Sequence, residues 1–163
     1  YKKAYFQIFS NIWCHGDLIS ISEHGGLKIY GRSDTTLNPG GVRIGTAEIY
    51  RVLSSLNYIK DSIVIGQRWN SDQRIVLFIQ MKKGIVLKDQ QRDEIQSTII
   101  TQCSRRHKPD IILQVSAIPY TINGKKVELA VKQIIENEPI VNLEAIKDPQ
   151  VLKNFKDLPE LKI

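Results

Sequence analysis

Apolar positions along this chain recur with period two in some stretches and near 3.6 in others, and each change of period marks an element. Leu18-Ile19-Ser20-Ile21-Ser22 and Leu27-Lys28-Ile29-Tyr30 are short alternating runs parted by Glu23-His24-Gly25-Gly26, which predicts a β-hairpin. Asn38-Pro39-Gly40-Gly41 predicts a second, smaller hairpin, because proline presets one backbone angle and glycine accepts a positive one. A helix opens at Gly45-Thr46, with Thr46 as N-cap, Glu48 in the first turn and Ile49, Val52, Leu53 and Leu56 on a buried face. Residues 62–65 and 74–81 read as strands separated by a turn at Asn70-Ser71-Asp72, and the second holds the most continuous apolar run, which predicts a central strand.

Residues 88–106 read as the next helix, capped by Asp89, lined by Ile95, Ile99 and Cys103, and stopped by Pro109. Arg105, Arg106, His107 and Lys108 fall at its end, where cations complement the helix dipole. A third strand covers 111–115. The loop 119–126 leads into a helix with Val127, Ala130, Val131, Ile134 and Ile135 on one face, ended by Asn137-Glu138-Pro139. Asp148-Pro149 starts a short terminal helix carrying Val151, Leu152 and Phe155. The sum is an α+β fold: a small mixed β-sheet with helices packed on it, preceded by β-hairpins. No internal repeat or low-complexity tract interrupts it.

Composition changes this picture little. The chain has 163 residues, enough for one domain with a real core and a piece of another. Its formal charge of +6 raises the question of nucleic acid, but the lysines are spread over helix faces and the tail, without the interleaved aromatics of a stacking platform. A basic surface facing a highly phosphorylated small molecule accounts for the same excess. The longest apolar runs are too short to span a membrane, and no signal peptide is visible, so no membrane partner is expected. Two cysteines, Cys14 and Cys103, make neither a disulfide framework nor a metal site, and a cytoplasmic, reducing compartment is the natural expectation. His15, His24 and His107 are scattered, with no evident acid or base partner, and none reads as catalytic.

The chemistry concentrates in residues 31–50, where four glycines, a proline and two arginines surround the second turn before the helix opens. Arg32 and Arg43 stay charged at any physiological pH, and arginines beside glycine-exposed amides suit phosphate. Asp17 follows a glycine and precedes a strand, where a carboxylate can accept both hydroxyls of a ribose. Lys125 follows Asn123-Gly124 in a loop, from which a flexible ammonium can reach a carboxylate and a phosphate together. From residue type alone each has a plainer reading: a solvated lysine, a turn aspartate, arginines paired with a neighbour such as Glu48.

Three segments, taken in order, tip that balance. Trp13-Cys14-His15-Gly16-Asp17, the run from Gly31-Arg32-Ser33-Asp34 to Asn38-Pro39-Gly40-Gly41-Val42-Arg43, and Pro119-Tyr120-Thr121-Ile122-Asn123-Gly124-Lys125 resemble the W-x-x-G-D, G-R-x-D…N-x-x-G-x-R and P-x-T-x-x-G-K segments of adenylate-forming enzymes. That group includes the acyl-CoA synthetases, luciferases and peptide-synthetase adenylation domains. The resemblance runs over nearly the whole chain. The wording of residues 1–6, of 13–17, of 119–128 and of the tail at 152–161 narrows it to acyl-CoA synthetases acting on the short keto acid acetoacetate. It implies an ATP-dependent acid–thiol ligase working through an acyl-adenylate, with ATP, its magnesium and CoA as substrates and nothing permanently bound.

The resemblance also implies roles. Lys125 is catalytic, and Lys126 points elsewhere. Asp17, Arg32 and Arg43 bind nucleotide. Asp34 is the hinge about which a small domain swings between two half-reactions, and Gly40 and Gly41 let backbone approach CoA in the second. No glycine-rich, Ser/Thr-rich phosphate loop is present, so the chain is expected to be the C-terminal part of a larger enzyme, inactive by itself and partnered by the absent N-terminal domain. Residues 1–33 would close that large domain and 34–163 form the small mobile one. The alternatives are another short-chain acyl-CoA synthetase, or a free-standing, non-catalytic domain binding a phosphorylated ligand.

Overall fold

The chain folds around one mixed three-stranded sheet, seen in a computed structural model that describes residues 6 and 9–162. Most of the segment 1–6 therefore lies outside the described residues. Strands β1 (Asp17–Ile21) and β2 (Leu27–Arg32) form the antiparallel hairpin read from the alternation. The main sheet follows in the order β3 (Ile59–Trp69), β4 (Asp72–Met81), β5 (Ile111–Gln114), with β3 antiparallel and β5 parallel to β4. Helices α1 (Thr46–Leu53), α2 (Asp89–Gln102) and α3 (Glu128–Ile135) pack on it, and short 3-10 turns fill the C-terminal part. The α+β class and the central place of β4 match the sequence expectation.

β4 is continuous in sequence because both its faces are covered. Ile75, Leu77 and Ile79 join the core under α1 and α2, with Leu37, Ile44, Ile49, Val52, Ile95 and Ile99. Val76 and Phe78 point to the other core, under α3 and the C-terminal turns, with Ile63, Ile65, Val131, Leu152 and Phe155. Phe78 and Phe155 meet edge to face with ring centroids 4.9 Å apart, so the tail is bolted to the sheet by its largest side chains.

Several boundaries differ from expectation, each for a local reason. Asp72 belongs to β4, and the turn is the two residues Asn70 and Ser71, both at positive φ (47° and 62°), which suits the twist of a tight hairpin. β3 runs well past residues 62–65 at both ends. Thr46 is not the N-cap of α1: Gly45 is, in extended conformation, and Thr46 is buried in the first turn. Asp89 likewise sits inside α2, after Lys88, whose N–H donates to Gln91 Oε1 at 3.0 Å.

α2 also ends at Gln102 rather than near 106. Ser104 adopts an extended backbone, and its hydroxyl accepts from Arg106 N–H, starting a separate 3-10 turn, Arg105–His107. The terminal helix is 3-10 rather than α, over Pro149–Phe155, with Asp148 accepting from Gln150 N–H as read from the sequence. Among the described residues no helix is long and apolar enough to cross a membrane.

Candidate functional site

The turn that carries Lys125 is built by its own hydrogen bonds. Thr121 N–H donates to Lys125 carbonyl at 2.7 Å, Gly124 N–H donates to Thr121 carbonyl at 2.9 Å, and Lys125 N–H donates to Thr121 Oγ1 at 3.0 Å. Gly124 stands at φ 75°, where a side chain would be strained. Tyr120 and Lys126 face each other as a β-bridge at its base.

In such a turn consecutive side chains part company. Lys125 is exposed. Lys126 is half-buried, its Nζ donating to Asp61 Oδ1 at 2.8 Å and to the Ser62 carbonyl, and standing 4.2 Å from the Tyr50 ring centroid. Tyr120 OH donates to the second Asp61 oxygen at 2.7 Å. Tyr50 OH donates to Glu128 Oε1 at 2.9 Å and accepts from Val64 N–H at 3.1 Å. Burial pushes Tyr50 and Tyr120 well above the usual phenol range and raises the Glu128 carboxyl, so the two phenols stay protonated as donors. Apart from the sense in which Lys126 points, this cluster was not read from the sequence.

A second group gathers at the start of the hairpin. Asp17 and Arg32 are paired positions of β1 and β2. Arg32 Nη1 donates to the His15 carbonyl at 2.7 Å, and its guanidinium lies 3.4 Å from Asp34 Oδ1. A Cβ on Gly16 would come within 3.0 Å of that guanidinium, so the glycine makes room for it. His15 Nδ1 lies 2.5 Å from Asp17 Oδ2, so His15 has a carboxylate partner two residues away, contrary to the expectation of none.

Arg32 and Asp34 line a cleft of about 230 Å³ together with Thr121, Lys126 and Glu128. Asp17, Arg43, Gly40, Gly41 and Lys125 do not line it. Gly40 and Gly41 (φ 57° and 76°) form a 3-10 turn with Pro39, with open space where side chains would be. Gly40 N–H donates to the Asp72 carboxylate at 3.0 Å, and Asn38 N–H to Gln73 Oε1 at 2.5 Å, so this turn is pinned to the β3–β4 hairpin. Arg43 follows it, exposed.

The third histidine also has a partner. His107 Nε2 lies 2.7 Å from Glu48 Oε2, and its Nδ1 lies 2.9 Å from Ser104 Oγ. Glu48 is therefore occupied by His107 and Lys28, not by either arginine. His107 holds its carboxyl below the ordinary range. Among the described residues no group of three or more potential ligands could hold a metal ion.

Comparison with known proteins places this geometry. No protein-family profile matches the chain. It is 46% identical over 162 residues to the acetoacetyl-coenzyme A synthetase of Rhizobium meliloti, covering 99% of this chain and 25% of that protein. It is 42% identical over 164 residues to the acetoacetyl-CoA synthetase of Rattus norvegicus, covering 99% of the chain and 24% of that protein. The chain thus spans about a quarter of the length of these relatives. The solved acetoacetyl-CoA synthetase from Streptomyces lividans superposes with a TM-score of 0.85 at 35% identity, over 96% of this chain and 24% of that one. An anthranilate CoA ligase, AuaEII, in complex with anthranoyl-AMP, shares the fold at a TM-score of 0.64 and 23% identity, over 76% of this chain and 24% of that one.

Proposed function

We propose that this chain, akin over nearly all its length to one quarter of the acetoacetyl-CoA synthetases, is the C-terminal part of such a synthetase. The reaction has two halves. Acetoacetate attacks the α-phosphorus of ATP and releases pyrophosphate; the CoA thiol then attacks the carbonyl of acetoacetyl-adenylate and expels AMP. Magnesium arrives with ATP as part of the substrate.

Lys125 serves the first half. An exposed ammonium on a short, internally hydrogen-bonded turn can be carried to the reacting phosphate, where a fixed cation stabilises the charge that develops. Asp17 would accept the ribose hydroxyls once His15 releases it, Arg32 would hold the nucleotide, and Arg43 would face the phosphates. Residues 34–163 act as the mobile unit, pivoting at Asp34. The 3-10 turn at Gly40 and Gly41 would lie along the pantetheine arm of CoA in the second half. A cytoplasmic setting suits two cysteines that are unpaired among the described residues.

The observation that carries the reading is the match in sequence along 99% of the chain. A further feature agrees with a large partner domain. Ile19 and Ile29, then Ile21 and Leu27, are cross-strand pairs on one face of the hairpin, and all four are 50–69% exposed. An apolar face of that kind asks for a cover, and residues 1–33 would close the N-terminal domain beneath it. By itself the chain offers one wall of the nucleotide site and is inactive.

The test is acid-dependent exchange of pyrophosphate into ATP by the full-length protein that carries this chain, over a panel of short acids. Acetoacetate should give the highest kcat/KM. Preference for another short acid would replace the substrate named here, and no exchange with any acid, joined to micromolar ATP binding by the chain alone, would favour a free-standing ligand-binding domain.

A further inference from the structure

Lys126 is half-buried and cationic, one residue beyond the lysine assigned to chemistry, and its surroundings are more elaborate than stability calls for. Its Nζ meets Asp61 and the Ser62 carbonyl on β3 and the Tyr50 face on α1, while Asp61 also takes the Tyr120 hydroxyl at the other foot of the turn. Both residues of the Tyr120–Lys126 bridge are therefore fastened to the same carboxylate. Glu128, the second residue after Lys126, is fastened to Tyr50, which in turn takes Val64 N–H from β3. Apolar residues at both 126 and 61 could pack beside Tyr50 without the desolvation that this cation and carboxylate incur. What the ion pair adds is a fixed direction, since a charge-assisted bond at 2.8 Å tolerates less rotation than packing does.

We infer that Lys126 and Asp61 are positioning residues: Asp61, taking Lys126 Nζ on one oxygen and the Tyr120 hydroxyl on the other, clamps both feet of the 121–125 turn to β3 and so holds Lys125 outward, at the height where it meets the carboxylate and the α-phosphate. This rests on the role assigned to Lys125. Lys126 Nζ is taken up by Asp61 and the Ser62 carbonyl, so Lys126 acts through its neighbour. Because a displacement of about 1 Å in a positioned group can cost about a hundredfold in rate, loosening the clamp should fall on adenylate formation. CoA attack on preformed adenylate, assigned to the turn at Gly40 and Gly41, should be spared.

The experiment measures both half-reactions in the full-length protein for wild type, Lys126→Met, Lys126→Arg, Tyr120→Phe and Lys125→Ala. Lys126→Met should lower kcat of acetoacetate-dependent pyrophosphate exchange by about ten- to a hundredfold, with KM for ATP little changed. Thioester formation from added acetoacetyl-adenylate should stay within about twofold of wild type. Lys126→Arg, which keeps the cation, should recover most of the loss. Tyr120→Phe removes one hydroxyl from the clamp without exposing a charge, and should show the same selective loss in weaker form; it decides the matter if Lys126→Met does not fold. Equal losses in both half-reactions, or no loss in either, would overturn the inference. If Lys125→Ala leaves pyrophosphate exchange intact, the assignment of Lys125 fails instead, and the two failures are told apart by that variant.

Discussion

Gly66 shows how closely single residues hold the proposed site. A Cβ built there would lie 2.1 Å from Gln73 Cδ, and it is Gln73 whose Oε1 receives Asn38 N–H at the head of the glycine turn. Gly66→Ala must push that side chain aside. It should cost about 1–3 kcal/mol in urea unfolding and speed amide exchange at Asn38; unchanged exchange there would mean Gln73 is not the tether. None of this was legible beforehand, because Gly66 and Asn38 meet only through a third residue. The turn that exposes Lys125 was legible, since its signal lies in adjacent residues, Asn123-Gly124-Lys125. The sense of Lys126 was legible as well, but its partner Asp61 lies 65 positions away and carries no local mark. His107 is hidden for the same reason, its Glu48 partner being 59 positions off, whereas His15 and Asp17 are two apart, a pairing local in the sequence.

Elements were read best where burial dictates their pattern. β4 is apolar on both faces and showed itself as a central strand; β1 and β2 showed themselves by alternation. Ends were read worst. The run Ser104-Arg105-Arg106-His107 carries no strong breaker, so its pattern continues the helix, yet the serine hydroxyl diverts the backbone. That diversion matters, because it brings His107 against Glu48 and ties the end of α2 to the first turn of α1. The Glu48 carboxyl is depressed, chiefly by the hydrogen bond from His107 and opposed by partial burial. A depressed carboxyl adds stability that is present above its unfolded value and is lost as the pH falls through its folded value. Glu48→Gln should therefore lower Tm near neutrality, and the gap from wild type should close as the pH falls beneath the ordinary glutamate range. A gap that persists in acid would assign the loss to packing rather than charge.

At the scale of the whole molecule, the sheet carries a core on each face, and the hairpin of residues 17–32 leaves its apolar face uncovered. The fold class followed from periodicity, but the proposed hinge at Asp34 rests on family likeness alone, because a hinge is defined by two orientations and one chain displays one of them. In the proposed reaction Lys125 belongs to one half-reaction only. The most direct measurement is a comparison of both half-reactions in the full-length Lys125→Ala variant. Acetoacetate-dependent pyrophosphate exchange should fall by about a hundredfold or more, as when a fixed transition-state donor is removed, while thioester formation from preformed acetoacetyl-adenylate keeps most of its rate. Equal damage to both halves, or exchange at the wild-type rate, would contradict it.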